Sequence, residues 1–153
     1  MQSQDSKSAA GWFSPDGPLW QAVPRFEERA GQAEMAAAVE TALREGRILL
    51  AEAGTGTGKT LAYLLPVLLS GLKTVVSTGT KTLQDQILKK DLPALVPLLP
   101  EPVRAAGLKG KANYLCLRRF KEAEEESADR PGIEAAHLAG WGRATATGDS
   151  RST

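Results

Sequence analysis

A glycine-rich segment, residues 51–60, lies between the apolar run Ile48 to Leu50 and an apolar stretch that begins at Leu61. Glycine has no Cβ, so its backbone adopts positive φ and brings N–H groups close to anionic oxygens. A helix that starts directly after such a loop adds unpaired N–H groups and the positive end of its dipole. The segment therefore predicts a loop between a strand and a helix that binds a polyphosphate.

The spacing in this segment fits the P-loop pattern G-x-x-x-x-G-K-[ST], except that Ala53 stands at the first glycine. Lys59 is predicted to reach the β and γ phosphates of ATP as a mobile charge, and Thr60 to bind the Mg²⁺ that bridges them. The alternative is a chance Gly-Lys-Thr in an ordinary loop, which the preceding strand and following helix disfavour. The predicted nucleotide-binding residues of the loop are Ala53, Gly54, Thr55, Gly56, Thr57, Gly58, Lys59 and Thr60.

Composition limits the class of protein. The chain has 153 residues, of which 42% are hydrophobic, and a formal net charge of +1, which is typical of a soluble α/β domain or part of one. A single cysteine excludes an internal disulfide, and the N-terminus has no signal-peptide pattern, so we expect a cytoplasmic protein. Basic residues predominate between Lys73 and Lys121, which would suit a phosphate backbone, although charge alone slightly favours an ordinary solvated surface.

The order of patterns predicts an α/β fold in which a parallel sheet is flanked by helices. Residues 1–24, rich in Gly and Pro, are expected to be an irregular lead-in. The predicted strands are Ile48 to Ala53, Lys73 to Thr78 and Val103 to Leu108. The predicted helices are Gly31 to Arg44, Gly58 to Ser70, Lys81 to Asp91, Leu117 to Ser127 and Ile133 to Gly142.

Several segments together resemble the XPD/DinG-like, iron–sulfur-containing DNA helicases of superfamily 2, whose first domain is a RecA-like P-loop NTPase. Residues 51–64 resemble the Walker A motif of these helicases, residues 75–86 their motif Ia, and residues 109–116 the segment that carries the first cluster cysteine. Arg29 to Gln32 resembles the Q motif, with Ala30 where proline is usual.

The resemblance implies roles for residues outside the loop. Gln32 would recognise adenine through its amide, the alternative being an exposed glutamine at a helix start. Thr78, Thr80 and Gln86 would contact single-stranded or forked DNA, although Thr80 is equally suited to cap the next helix. Cys116 would be the first ligand of a [4Fe–4S] cluster, the alternative being a small buried apolar residue.

The resemblance also implies a division into residues 1–24, a part of helicase domain 1 at 25–108, and the start of an iron–sulfur domain at 109–153. The sequence has no Asp-Glu-Ala-His motif; its one histidine, His137, has no Asp-Glu before it. We therefore expect a fragment of an ATP-dependent DNA helicase that acts in DNA repair, moves 5′ to 3′ and is inactive in isolation. The alternatives are a non-catalytic nucleotide-binding remnant and another P-loop enzyme such as a kinase.

Overall fold

The computed structural model describes residues 8–23, 26–27, 29, 31–128 and 133–150. Parts of the expected lead-in (1–7 and 24) and of the Q-like motif (Ala30) lie outside the described residues, as do 25, 28, 129–132 and 151–153. The chain divides between Ala106 and Gly107 into two compact units.

Helices account for the regular structure of the described residues. The α-helices are α1 (Pro18–Ala22), α2 (Gln32–Glu45), α3 (Lys59–Leu69), α4 (Lys81–Gln86), α5 (Leu92–Leu95), α6 (Leu117–Ala128) and α7 (Ile133–Ala144). Shorter turns are the 3₁₀ segments Ala10–Phe13, Val96–Leu98 and Lys111–Asn113 and the π-helical turn Ile87–Asp91. None of the described helices is long and apolar enough to cross a membrane.

The core of the first unit forms where α2 packs against α3 and against the 3₁₀ turn Ala10–Phe13. Helix α3 is apolar nearly all round, and its buried members include Leu64, Leu65 and Pro66. Burying such a side chain contributes about 1.5–3 kcal/mol relative to leaving it in water. The packing of α2 on α3 therefore fixes the position of the loop that connects to the start of α3.

Helix α2 confirms the helix predicted from Gly31 to Arg44, within one residue at its end. The residues that flank it, Gly31 and Gly46, have φ of 81° and 63°, in the left-handed region where an L-residue with a Cβ is strained. A glycine in this conformation directly after a helix ends it by turning the chain away. At the other end of the helix, Gln32 is the first residue of α2 and lies against the glycine-rich loop.

The predicted strands at Ile48 to Ala53, Lys73 to Thr78 and Val103 to Leu108 do not form among the described residues. A strand requires a neighbouring strand that pairs with its N–H and C=O groups, and no described segment pairs with these runs. As a result Ile48, Leu50 and Val75 are each more than nine-tenths exposed. The parallel sheet expected from the sequence is therefore not present in this part of the chain.

The N-terminal segment is more ordered than the sequence analysis expected. A 3₁₀ turn and α1 lie within it, and the side chains of Trp12, Phe13 and Leu19 are buried in the core. The indole N–H of Trp20 donates a hydrogen bond to the Phe13 carbonyl at 3.0 Å. These aromatic side chains supply a large apolar area, which outweighs the turn-forming Gly and Pro residues around them.

The helix predicted from Lys81 to Asp91 is present, but its second half is not α-helical. Helix α4 ends at Gln86 and continues through the π-helical turn into α5. The π-turn buries Ile87 and also the carboxylate residue Asp91. A π-turn inside an α-helix changes which side chains share a face, and such turns occur frequently at functional sites.

The second unit contains α6 and α7, which pack on each other. The ends of the unit meet in a single antiparallel bridge between Tyr114 and Asp149. Next to this bridge the Lys109 ammonium donates to the Asp149 carboxylate at 2.6 Å, and the Lys109 side chain is only 6% exposed. The ion pair joins residues 40 positions apart and closes the unit on itself.

Candidate nucleotide-binding site

The glycine-rich loop leads directly into the N-terminus of α3. Gly56 and Gly58 have φ of 77° and 76°, both in the left-handed region, and α3 begins at the next residue, Lys59. The first N–H groups of a helix have no partner within it, and the helix dipole favours negative charge at that end. The loop and the first turn of α3 therefore have the backbone features that an anion site requires, and phosphate binding there stays a prediction.

Side-chain donors hold the carbonyl groups of the loop. The Thr57 hydroxyl donates to the Gly54 carbonyl at 3.0 Å, and the Lys59 ammonium donates to the Ala53 carbonyl at 2.6 Å and also to that of Gly54. From outside the loop, the Arg29 guanidinium donates to the Gly56 carbonyl. The Lys59 ammonium therefore lies inside the loop, because it is bonded to two of the loop's own carbonyl groups.

Gln32 is packed against the loop rather than exposed, which contradicts the alternative of an exposed helix-start glutamine. Its side chain is buried, and its Nε2 donates to the Gly58 carbonyl at 3.1 Å. A carbonyl oxygen can only accept, so this contact fixes which end of the amide is the nitrogen. The buried Oε1 is left with no hydrogen-bond partner among the described residues.

A cavity of about 320 Å³ lies beside the loop, within the size range of small-molecule sites. Gln32 and Lys59 line it with polar groups, while Met35 and Leu49 contribute apolar surface. Buried polar atoms in proteins are almost always paired, so the covered Oε1 of Gln32 lacks a donor that the described residues do not supply. The loop and the cavity together form one candidate site for a molecule with an anionic tail and a flat polar group.

Thr60 has a neighbour that the sequence analysis did not identify. Burial raises the pKa of Tyr63, a hydrogen bond with the Thr60 side chain opposes that rise, and the charge of Asp91 adds to it. Tyr63 lies three residues after Thr60, a spacing that brings two side chains to the same face of a helix. That spacing was the available signal, whereas the influence of the Asp91 charge on Tyr63 depends on the fold.

The residues assigned to DNA binding make contacts within their own segment. Thr80 caps α4 by accepting from the Leu83 N–H at 3.2 Å, which confirms the capping alternative. The Thr78 hydroxyl donates to the Thr80 carbonyl at 3.1 Å, and the Gln86 amide donates to the Asp91 carboxylate at 3.1 Å. These contacts order the segment, and its role toward DNA stays a prediction.

Cys116 lies at the start of α6 in the second unit and is exposed, so it is not the buried apolar residue of the alternative. A hydrogen bond from the Arg119 backbone lowers the pKa of its thiol, with smaller contributions from the Arg118 and Arg119 charges. Among the described residues no group of three or more His, Cys, Asp or Glu side chains is placed to hold a metal ion. A [4Fe–4S] cluster needs four thiolates, so the single cysteine of this chain does not fit it.

Comparison of the chain with known proteins shows that it is similar to helicases. A family model described as DEAD/DEAH box helicase matches residues 31–96, which implies the P-loop NTPase fold. The ATP-dependent DNA helicase YoaA of Escherichia coli is 44% identical over 140 residues, covering 90% of this chain and 22% of the relative. The ATP-dependent helicase DinG of Mycobacterium tuberculosis is 40% identical over 145 residues, covering 79% of this chain and 22% of the relative.

A third relative has a different activity in its name. The 3'-5' exonuclease DinG of Bacillus subtilis is 40% identical over 137 residues, covering 86% of this chain and 15% of the relative. No solved structure matches the chain. The chain spans less than a quarter of the length of each of these relatives. Its similarity nevertheless extends over most of its own sequence, and the chain therefore belongs to the DinG-like DEAD/DEAH box helicases.

Proposed function

We propose that this chain is the nucleotide-binding part of an ATP-dependent DNA helicase, in which hydrolysis of the β–γ bond of ATP drives movement along DNA. The observation that carries the proposal is the left-handed glycine pair Gly56 and Gly58 immediately before α3, with the Lys59 ammonium inside the loop. The names of the YoaA and DinG helicases support the same activity.

Phosphate binding would follow from an exchange of partners at Lys59. Its ammonium now donates to two neutral carbonyls, whereas a phosphate oxygen carries a negative charge and adds a direct attraction between opposite charges to the hydrogen bond. The N–H groups of residues 54–58 would surround the same oxygens, and Thr60 would bind Mg²⁺, which supplies charge neutralisation at the β and γ phosphates. Lys59 and the amides would then stabilise charge on the transferred phosphoryl group.

Adenine recognition is proposed for Gln32, with its amide oxygen as the contacting atom. Its Nε2 is engaged by Gly58, and its Oε1 is buried without a partner, so a base in the cavity would reach the Oε1 only after a small movement of the Gln32 side chain. The exocyclic N6 amino group of adenine is a donor and would satisfy this acceptor, whereas the O6 of guanine is a second acceptor and would repel it. We expect the site to prefer ATP to GTP for this reason.

In the complete helicase, the chain would contribute to a larger fold and to DNA binding. Residues 48–53 and 73–78 would join a parallel sheet in the RecA-like part, 25–108, and residues 109–153 would begin the domain that carries an iron–sulfur cluster in the family. Thr78, Thr80 and Gln86 would contact single-stranded or forked DNA, with movement from 5′ to 3′ in DNA repair. The proposed location is the cytoplasm.

The 153-residue chain itself is expected to bind nucleotide with weak or no hydrolysis. Its sequence contains no Asp-Glu-Ala-His motif, and its only histidine, His137, is exposed on α7. Water activation requires a positioned acid or base near the γ-phosphate, in addition to the phosphate-binding loop. A phosphate-release assay in which DNA stimulates turnover by this chain would contradict the expectation.

Two other classes of protein, a non-catalytic remnant and a small-molecule kinase, are distinguished from a helicase by experiment. A non-catalytic remnant is favoured by the exposure of Ile48 and Leu50, each 94% accessible, since apolar surface of this kind promotes aggregation. A small-molecule kinase would share the loop but would bind nucleotide with an affinity that DNA does not change. Solubility and the effect of DNA on nucleotide affinity separate these classes from a helicase.

The direct experiment measures the affinity of a fluorescent ATP analogue for the full chain and for Lys59→Ala, with Mg²⁺ present. Loss of a charged hydrogen-bonding group costs about 1.5–3 kcal/mol, so we expect roughly ten- to hundredfold weaker binding. Lys73→Ala is the matched control, because Lys73 is exposed and lies outside the loop. Equal affinity of the wild type and Lys59→Ala would overturn the proposed function.

A further inference from the structure

Arg29 is a side chain of the Q-like motif to which none of the roles above gives a function. It is exposed, and its guanidinium donates a hydrogen bond to the carbonyl of Gly56, 27 positions further along the chain. The Arg29 carbonyl accepts from the Gln32 N–H at 3.0 Å, which joins these two residues in one turn before α2. Gln32 lines the cavity beside the glycine-rich loop and Arg29 does not, so the contact that Arg29 makes is with the loop.

Gly56 and Gly58 differ in how their surroundings restrain them. Both have positive φ, and glycine changes between positive and negative φ at little cost. At Gly58 the Gln32 amide lies against the point where a Cβ would be. At Gly56, apart from its chain neighbours, no atom of the described residues lies within 4 Å of that point. In this part of the chain packing therefore does not restrain the Gly56 peptide, whereas the hydrogen bond from Arg29 does.

A hydrogen bond to a carbonyl also fixes the direction of the next N–H group. The peptide unit is planar and the bond between Gly56 and Thr57 is trans, so its C=O and N–H point in opposite directions. Because the Gly56 carbonyl is turned toward Arg29, the Thr57 N–H points away from Arg29. Gln32 fixes the N–H that follows Gly58 in the same way. Two donors from one turn thus set the direction of two alternate N–H groups of the loop.

We propose that Arg29 is a positioning residue for phosphate binding, which holds the Gly56 peptide so that the Thr57 N–H faces the anion before nucleotide arrives. The inference rests on the proposed function, in which the N–H groups of residues 54–58 surround the phosphate oxygens. A group that is already oriented loses less freedom on binding, so affinity rises without a contact between Arg29 and the ligand. Since the effect acts on the backbone of the loop, it concerns the phosphates and is independent of the base.

The first measurement compares two ligands that share a chain of phosphates and differ in the presence of a base. The affinities for ATP and for inorganic tripolyphosphate, both with Mg²⁺, are measured by calorimetry for the full chain and for Arg29→Ala. We expect Arg29→Ala to bind both ligands about two- to tenfold more weakly and by the same factor, because one hydrogen bond to phosphate becomes poorly oriented. Arg44→Ala, which removes an exposed arginine from the same unit, is the control and should leave both affinities unchanged.

The salt dependence separates orientation of the loop from a simple loss of positive charge. Attraction between an exposed charge and an anion is screened by salt, whereas the direction of a peptide group is not. The loss of affinity in Arg29→Ala relative to the wild type should therefore persist at high salt. A loss that disappears at high salt would overturn the proposal, and so would a loss for ATP with none for tripolyphosphate, which would assign Arg29 to the base.

The second measurement observes the loop amides directly by NMR of the full chain. In the wild type, tripolyphosphate should shift the backbone N–H resonances of both Thr57 and Lys59. In Arg29→Ala we expect the Thr57 resonance to move before ligand is added and to respond less to it, while the Lys59 N–H, in the peptide held by Gln32, keeps its response. Guanidinium ion at a concentration that leaves the protein folded should restore the Thr57 response, since the position of the missing side chain is exposed. A Thr57 resonance that Arg29→Ala leaves unchanged would overturn the proposal.

The outcomes separate this inference from the proposed function. Arg29→Met keeps the length of the side chain without its donor, and it replaces Arg29→Ala, with the same results expected, if alanine disturbs the fold. A chain that binds ATP and tripolyphosphate with Lys59 dependence, and binds them equally well without the Arg29 guanidinium, would overturn this inference alone. A wild type that binds neither ligand would overturn the proposed function and this inference with it.

Discussion

Replacement of Gly58 by alanine is the sharpest test of how the loop is held. Gly58 has φ of 76°, and a Cβ built on it would lie 2.0 Å from the Gln32 Nε2. Gly58→Ala therefore has two separate consequences. The backbone adopts a left-handed conformation that an L-residue disfavours, and the buried Gln32 amide is forced away from the carbonyl that it binds.

The two terms can be estimated separately. A left-handed residue with a Cβ costs about 1–2 kcal/mol. A buried amide that loses its hydrogen bond costs about 1–3 kcal/mol more. We therefore expect Gly58→Ala to lower the free energy of unfolding of the first unit by about 2–5 kcal/mol. Gly71→Ala is the matched control: Gly71 has φ of 65° with no atom within 4 Å of the added Cβ, so it should lose only about 1–2 kcal/mol.

The assay is equilibrium unfolding in urea followed by tryptophan fluorescence, in a Trp141→Phe background so that Trp12 and Trp20 of the first unit give the signal. The variants Gln32→Ala and Gln32→Ala with Gly58→Ala complete a double-mutant cycle. Alanine at position 32 removes the clash, so Gly58→Ala should cost about 1–3 kcal/mol less in that background. Equal losses in Gly58→Ala and Gly71→Ala, or additive losses in the cycle, would refute the reasoning.

Three further predictions concern the other parts of the chain. Thr80→Ala removes the side-chain cap of α4 and should lower the free energy of unfolding by about 0.5–2 kcal/mol in urea titrations, whereas Thr80→Ser should retain most of it. Asp149→Ala leaves the buried Lys109 ammonium without its carboxylate and should destabilise the second unit by roughly 3 kcal/mol, measured by Trp141 fluorescence, with little recovery at high salt. Because the pKa of the Cys116 thiol is lowered, its rate of alkylation by iodoacetamide should rise at lower pH than in the urea-unfolded chain; identical pH profiles would contradict that shift.

The sequence predicted the loop and its flanking helices because both depend on local chemistry. The left-handed backbone at positions 56 and 58 requires glycine. Gly46 ends α2, and the apolar run after Lys59 forms α3. Such signals lie within a few residues of the structure that they specify. They are therefore readable without knowledge of the rest of the chain.

Contacts between distant segments could not be predicted in the same way. The hydrogen bond from Gln32 to Gly58 depends on how α2 packs against α3, and the contact of Gln86 with Asp91 depends on a π-turn that no propensity indicates. The buried aromatic residues Trp12 and Phe13 lie in a short 3₁₀ segment, which has too few turns to show a periodic pattern. The loop could therefore be predicted from its own residues, whereas the contacts that hold it could not.

The apolar segments on either side of α3 have an exposure pattern that resembles that of β-strands. Exposure alternates along the chain, with Ile48 and Leu50 at 94% and Leu49 between them at 39%, and Val75 at 92% followed by Val76 at 40%. A period of two belongs to strand-like backbone with one face covered, yet a surface strand would carry polar residues on its other face. Apolar residues on both faces suit a parallel sheet covered on two sides, and burial of each exposed side chain would contribute about 1.5–3 kcal/mol. The loop is held by Gln32 of α2, which donates to the Gly58 carbonyl, and by Lys59 of α3, which donates to the carbonyl of Ala53 at the end of the first of these segments.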